Sequence, residues 1–155
     1  MAPSTQEFVE RMASALNQAG LARVPSLVFS ALLVDEDGRM TSAELTEALH
    51  VSPAAISGAV KYLEQIGMMR RERVRGSRRD VYVVEEEAWH TALMRRDQVY
   101  GPMIAALTSG LSTVGPTTDA HRRILVTREF FTFVNEELTA LADKWQKRRD
   151  EVVGD

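Results

Sequence analysis

The chain has no cysteine, which excludes disulfides, thiolate nucleophiles and cysteine-held zinc, and permits a reducing compartment. Histidine is nearly as scarce. His50, His90 and His121 stand far apart, with no HExxH spacing and no evident nucleophile beside any of them, so a metal centre or a histidine-based catalyst has little to build on. The nine glycines are scattered and form neither GxGxxG nor a phosphate-cradling loop. No apolar run approaches the ~20 residues that span a bilayer. The opening Met1-Ala-Pro-Ser-Thr-Gln-Glu7 has neither the basic start nor the apolar core of a secretory leader. These absences lead to the expectation of a cytoplasmic protein without membrane attachment, cofactor, metal or enzymatic activity.

What remains is ordinary in bulk and uneven in detail. The 155 residues are 45% hydrophobic and 26% charged, as in a globular protein with one domain, or a small domain plus an oligomerisation element. Net charge is -3, which argues against a polyanionic partner only if charge is evenly spread. It is not. Residues 61–80 hold seven bases (Lys61, Arg70, Arg71, Arg73, Arg75, Arg78, Arg79) against Glu64, Glu72 and Asp80, so this stretch carries +4 and the rest -7. Local field, screened beyond about 8–10 Å, governs association with a polyanion more than the sum does.

The order of elements around that cluster is informative. A first helix is expected over about 5–18, with Phe8, Val9, Met12, Ala15 and Leu16 as its apolar stripe, and Gly20 ends it. Pro25 suits the first turn of a second, nearly all-apolar helix reaching Val34. After the turn signal Asp35-Glu-Asp-Gly38, Thr41 and Glu44 form a capping box for a third helix. Ser52 and Pro53 cap and open a fourth, which buries Ile56, Ala59, Val60, Leu63 and Ile66 and stops at Gly67. Two strands follow around the turn Arg75-Gly-Ser-Arg78. Glu85-Glu-Glu87 precede a fifth helix, in which Pro102 is expected to force a kink or break near Gly101. A long final helix is expected from about 117 to 149.

A helix, a turn, a second helix and a basic hairpin suit the grooves of duplex DNA. Base edges are read from near the N-terminus of a helix in the major groove. The candidate reading residues are Ser52, Ala54, Ala55, Ser57, Gly58 and Lys61, whose small side chains allow close approach while Lys61 reaches the backbone. The wing candidates are Arg71, Arg73, Arg75, Arg78 and Arg79, with the tip suited to a narrow minor groove. Alternation keeps Arg70 off that face, where Glu64 or Glu72 would engage it, and Asp80 would hold a tip arginine. The blander reading takes Gly58 as a tolerated defect and the arginines as a solvated charge run.

At these residues the chain resembles the MarR-type winged helix-turn-helix regulators, including their GbsR-like branch. The matching pieces are Thr41-Ser-Ala-Glu-Leu-Thr-Glu-Ala-Leu49, Val51-Ser-Pro-Ala-Ala-Ile-Ser57, Leu63-Glu-Gln-Ile-Gly67 with Arg70, and Gly76-Ser-Arg-Arg-Asp80 with Tyr82. Ser77 departs from the pattern, standing where many such sequences carry aspartate. The resemblance implies a homodimer on a pseudo-palindromic operator, acting as a repressor and released in some members by a small ligand.

The last helix points to a dimer independently. Ile124, Phe131, Leu138 and Trp145 recur at sevens, with Thr127, Val134 and Leu141 interleaved and Phe130 and Phe133 widening the stripe. With Phe8 and Met12 of the first helix, Ile124, Phe131, Val134, Leu138, Leu141 and Trp145 are the candidate dimer contacts, packing against the first helix of the same chain being the alternative. A two-fold pair would set its reading helices about 34 Å apart, one turn of DNA. Phe29, Trp89, Leu93, Tyr100 and Met103 are candidates for a small-molecule effector pocket, although such stripes are core more often than ligand site.

The expected fold class is mainly α (α+β): a winged helix-turn-helix with a two-stranded β-wing and N- and C-terminal dimerisation helices. Residues 1–20 form the N-terminal dimerisation helix, 21–86 the DNA-binding domain and 87–155 the C-terminal helical dimerisation region. The function expected is sequence-specific transcriptional regulation, with double-stranded DNA, a second copy and a small effector as partners. A winged-helix protein-interaction module and a non-specific DNA-coating protein are the alternatives.

Overall fold

The computed structural model describes residues 3–73, 79–90 and 97–154. The chain divides into two compact units, Met1–Ala92 and Leu93–Asp155.

In the first unit, α1 (Pro3–Gln18) packs along α2 (Arg23–Val34). Pro25 through Leu32 are buried without interruption, as the all-round apolar sequence requires. The two serines inside this run are satisfied locally. Ser26 donates to the Ala22 carbonyl at 2.9 Å and Ser30 to that of Ser26 at 2.7 Å, so neither hydroxyl is left bare. The inner face of α1 is Val9, Ala13 and Leu16, while Phe8, Met12 and Ala15 face outward to differing degrees. The five-residue stripe read from the sequence therefore belongs to two adjacent faces.

β1 (Arg39–Thr41) follows a turn in which the Asp35 carboxylate accepts from the Asp37 and Arg39 amides. Gly38 closes the turn at φ 62, where a Cβ would stand 3.0 Å from the Val84 carbonyl oxygen, so both backbone hand and space favour glycine. The capped helix α3 (Ser42–Leu49) ends at His50, which adopts the left-handed conformation at φ 53 and turns the chain sharply into α4 (Pro53–Gln65).

β2 (Arg70–Arg73) and β3 (Asp80–Val83) are the expected antiparallel pair, and β1 adds a third strand in the order β1-β3-β2. That third strand is not expected from the sequence, in which 39–41 read only as the approach to α3. Leu45, Ile56, Val60 and Leu63 meet Phe29, Leu32, Met68, Met69 and Tyr82 in one core. Residues 88–90 are helical, and Trp89 sets its ring edge-on to Phe29 at 5.3 Å.

The second unit is a helical hairpin. α5 (Asp97–Leu111) continues through Pro102 without interruption, and α6 (Asp119–Val153) runs back along it. Thr118 caps α6 by accepting from the His121 amide at 3.1 Å. Tyr100 meets Phe131 at 5.4 Å between ring centroids, and Gly110 lets Ile124 approach the α5 backbone. None of the 35 residues of α6 is buried. Among the described residues, no helix is long and apolar enough to cross a membrane.

Candidate nucleic-acid interface

The local chemistry of α4 sorts its residues into two sides. Ser52 lies just outside the helix in extended backbone, its hydroxyl accepting from the Ala55 amide at 3.2 Å, and Pro53 occupies the first turn, where its missing N–H costs nothing. Ile56, Ala59, Val60 and Leu63 are buried, with Ile66 half-buried behind them. That leaves Ser52, Ala54, Ser57, Gly58 and Lys61 exposed and Ala55 half-buried, and a Cβ on Gly58 would meet only open space. The small-residue side expected to read bases thus faces solvent. Gly67, at φ 77, terminates the helix: its amide reaches the Glu64 carbonyl at 3.1 Å and that of Met68 reaches Leu63 at 2.9 Å. These two hydrogen bonds satisfy the Leu63 and Glu64 carbonyls at the helix end and turn the chain toward β2.

Strand register sorts the cations. Arg71 and Arg73 oppose Tyr82 and Asp80 on one sheet face, while Arg70 and Glu72 oppose Val83 and Val81 on the other. On that second face Arg39 contacts Glu72 at 2.6 Å, Glu72 also binds Arg70, and Arg70 reaches Glu85 at 2.5 Å. The chain of alternating charges lies on the face of the buried Val81 and Val83 and consumes Arg70, as expected. Arg39 and Glu85 were missed as members because a strand as short as 39–41 leaves no periodicity to read.

The first face differs from expectation in one respect. Asp80 holds Arg71 of β2, at 3.5 Å, and Glu64 of α4 approaches the same guanidinium at 3.9 Å. Arg71 also lies over the Tyr82 ring, 5.8 Å from its centroid. It shares a face with Arg73, but its charge is already engaged. Arg73 is exposed, with no ion pair among the described residues. Arg79 is exposed as well, close enough to Glu44 for its charge to act there. Arg75 and Arg78 lie outside the described residues.

The α3 capping box sits beside this face. The Thr41 amide and hydroxyl donate to one Glu44 oxygen at 2.7 and 2.8 Å, and the Glu44 amide returns a bond to the hydroxyl at 3.3 Å. The bond from the Thr41 backbone, then that from its side chain, hold the Glu44 carboxyl below its ordinary range, and Arg79 adds to the effect.

The remaining candidates divide between the units. Phe8 is exposed and Met12 half-buried on α1. On α6, Ile124, Phe131, Val134 and Leu138 are half-buried, Leu141 and Trp145 exposed. Large apolar groups also stand bare beside that seam: Val126, Phe130 and Phe133 are 60, 58 and 59% exposed. Among the effector-pocket candidates, Phe29 is fully inside the first unit's core and Trp89 exposed at its surface; Tyr100 and Met103 belong to α5, and Leu93 lies outside the described residues. Among the described residues, no three potential ligands gather to hold a metal ion.

Comparison with known proteins agrees with this geometry. Residues 32–81, covering β1, α3, α4 and the first sheet strands, match the MarR family. Residues 87–148 match the family described as MmpR5-like MarR family transcriptional regulator. Along nearly its whole length, the chain is similar to the HTH-type transcriptional regulator MmpR5 of Mycobacterium tuberculosis. The two are 25% identical over 150 residues, 96% of this chain and 91% of that protein. A crystal structure described as a transcriptional regulator superimposes with a TM-score of 0.82 at 25% identity, covering 94% of this chain and 99% of the other. With a capped helix pair, the antiparallel strands β2 and β3 beside it, and two adjoining family matches, the chain is a winged helix-turn-helix protein of the MarR family of transcriptional regulators.

Proposed function

We propose that this chain works as a homodimer that recognises a pseudo-palindromic operator and represses transcription by occupying it. The observation that carries this reading is the exposed, small-residue side of α4, led by Ser52 and bearing Ala54, Ser57 and Gly58, next to an arginine-rich wing on a chain of net charge -3. Ala55 and Ser57 reach base edges, Lys61 and the helix N-terminus meet phosphate, and Arg73 and Arg79 with the hairpin tip grip the flanking backbone. Two-fold pairing runs through α6 with help from α1, because the apolar surface on both exceeds what a lone copy hides. Within the family, the match over 87–148 favours the MmpR5-like branch over the GbsR-like one. Release by a small molecule is part of the reading, and such a ligand acts only by preferring one spacing of the two reading heads.

Selection of duplexes from a random pool by the purified chain tests this. A pseudo-palindromic consensus is expected, with half-sites one helical turn apart. Ala55→Glu and Ser57→Ala should change which sequences are kept. Arg73→Ala with Arg79→Ala should weaken all of them and flatten the salt dependence by roughly 0.9 for each phosphate no longer neutralised. Recovery without consensus would mean a DNA-coating protein, and no recovery at low salt would point to an acidic protein partner.

A further inference from the structure

We propose that Arg71 is a positioning residue: it fixes the recognition helix relative to the wing sheet and does not itself touch nucleic acid. The inference rests on the DNA-reading function proposed above and assigns a distinct task to one cation of that site. Three groups hold the Arg71 guanidinium, each from a different place in the fold. Asp80 opens β3 and lies 3.5 Å away, Glu64 in the last turns of α4 lies 3.9 Å away, and the Tyr82 ring beneath belongs to the core. One cation between two carboxylates is a local charge of -1, so a phosphate approaching here meets net repulsion until a carboxylate is stripped away. Arg73, on the same strand face and opposite Asp80 in the register, forms no ion pair among the described residues.

The geometry also explains why a tie is useful. α4 and β2 are joined by a short turn through Gly67, and the apolar contacts of Ile56, Val60 and Leu63 that seat α4 on the core are non-directional, leaving its fine angle to be set by a polar tie. A guanidinium over the Tyr82 ring, hydrogen-bonded to Asp80 at 3.5 Å and ion-paired with Glu64 of α4 at 3.9 Å, narrows that freedom more than a flexible ammonium would. A small rotation of α4 moves Ser57 and Ala55 off their base edges while leaving phosphate contacts intact. Sequence preference is therefore the property that depends on Arg71.

The test uses the full chain and two duplexes: one recovered from a random pool by the wild type, and a scrambled duplex of the same composition. Affinities come from fluorescence anisotropy over a salt series, with circular dichroism melts of every variant. A wild type that recovers nothing defeats the DNA-reading function, and the role of Arg71 falls with it. Given recovery, Arg71→Gln should lower the preference for the selected duplex by roughly tenfold, the effect of one mis-seated base contact. The salt slope on the scrambled duplex should stay at the wild-type value. Arg73→Gln should weaken both duplexes alike and reduce that slope by roughly 0.9 for each phosphate it no longer holds. Arg71→Gln overturns the assignment if it flattens the slope as Arg73→Gln does, or leaves the preference intact. Glu64→Gln decides the matter should Arg71→Gln fail to fold, because Glu64 is exposed and its replacement leaves every cation in place. Positioning predicts weakened preference in that variant. A phosphate-binding Arg71, freed of one carboxylate, would bind both duplexes more tightly with a steeper slope.

Discussion

Gly58 is a residue at which stability and binding make opposite demands. It lies in the interior of α4, where glycine costs the folded state backbone entropy, and a Cβ there would meet nothing. Gly58→Ala should therefore raise stability by about 0.4–1 kcal/mol, read as a shifted urea midpoint with an unchanged slope. Gly58→Gln should keep the fold but lose duplex affinity by more than roughly tenfold, since its side chain would occupy the space the bases need. Retained affinity would mean that this side of α4 is not the reading surface. Thr41 and Glu44 carry a different dependence. Thr41→Ala removes the α3 cap and should cost about 1 kcal/mol. The Glu44 carboxyl is held below its ordinary value of 4.5 in the folded chain. On acidification the unfolded chain therefore takes up the proton first, and the stabilisation present above about pH 4.5 disappears as pH falls through the folded value. Thermal melts at pH 7 and pH 3 should show Glu44→Gln losing more stability against the wild type at the first than at the second.

Elements differ in how far the sequence announces them. Thr41 with Glu44, Ser52 with Pro53, and Gly67 are end signals whose hydrogen bonds are local, so the helices they bound could be read directly and were found with their caps in place. β1 gives no such sign. It is a strand only because Met40 comes to lie opposite Tyr82, a pairing set by tertiary structure. The wing face was legible by alternation, but the capture of Arg71 was not, since sequence spacing does not say that α4 brings Glu64 to the sheet. The α6 heptads were legible as a period and read as a seam between copies; that Ile124 and Phe131 of this period lie against Gly110 and Tyr100 of α5 was not read from the sequence. The exposed Val126, Phe130 and Phe133 lie a helical turn apart on a neighbouring stripe. Phe130→Glu with Phe133→Glu should give a folded, soluble monomer by sedimentation, because both rings stand largely in solvent and the Phe130 edge contact with Phe131 lies at the rim of the helix pair. An unchanged dimer would remove this stripe from the pairing surface. Phe131→Asp should be harsher, since that ring also packs on Tyr100.

At the scale of the whole molecule, an acidic chain with one basic face should discriminate by orientation as well as by affinity. The -7 outside residues 61–80 repels phosphate wherever that face is turned away. Duplex affinity should then fall steeply with added salt and recover on dilution of the salt. α6 adds a dependence on concentration. A helix of 35 residues that packs on α5 yet keeps no side chain fully from water would gain further burial from the pairing proposed above. Its midpoint of thermal unfolding should climb as the protein is concentrated and sink as it is diluted, the mark of an assembly obeying mass action. For a cell this would mean that the amount of chain made sets more than how many operators are filled. Below some abundance, newly synthesised copies would remain solitary, with phenylalanines bare to chaperones and proteases, and a modest fall in expression would silence the regulator altogether.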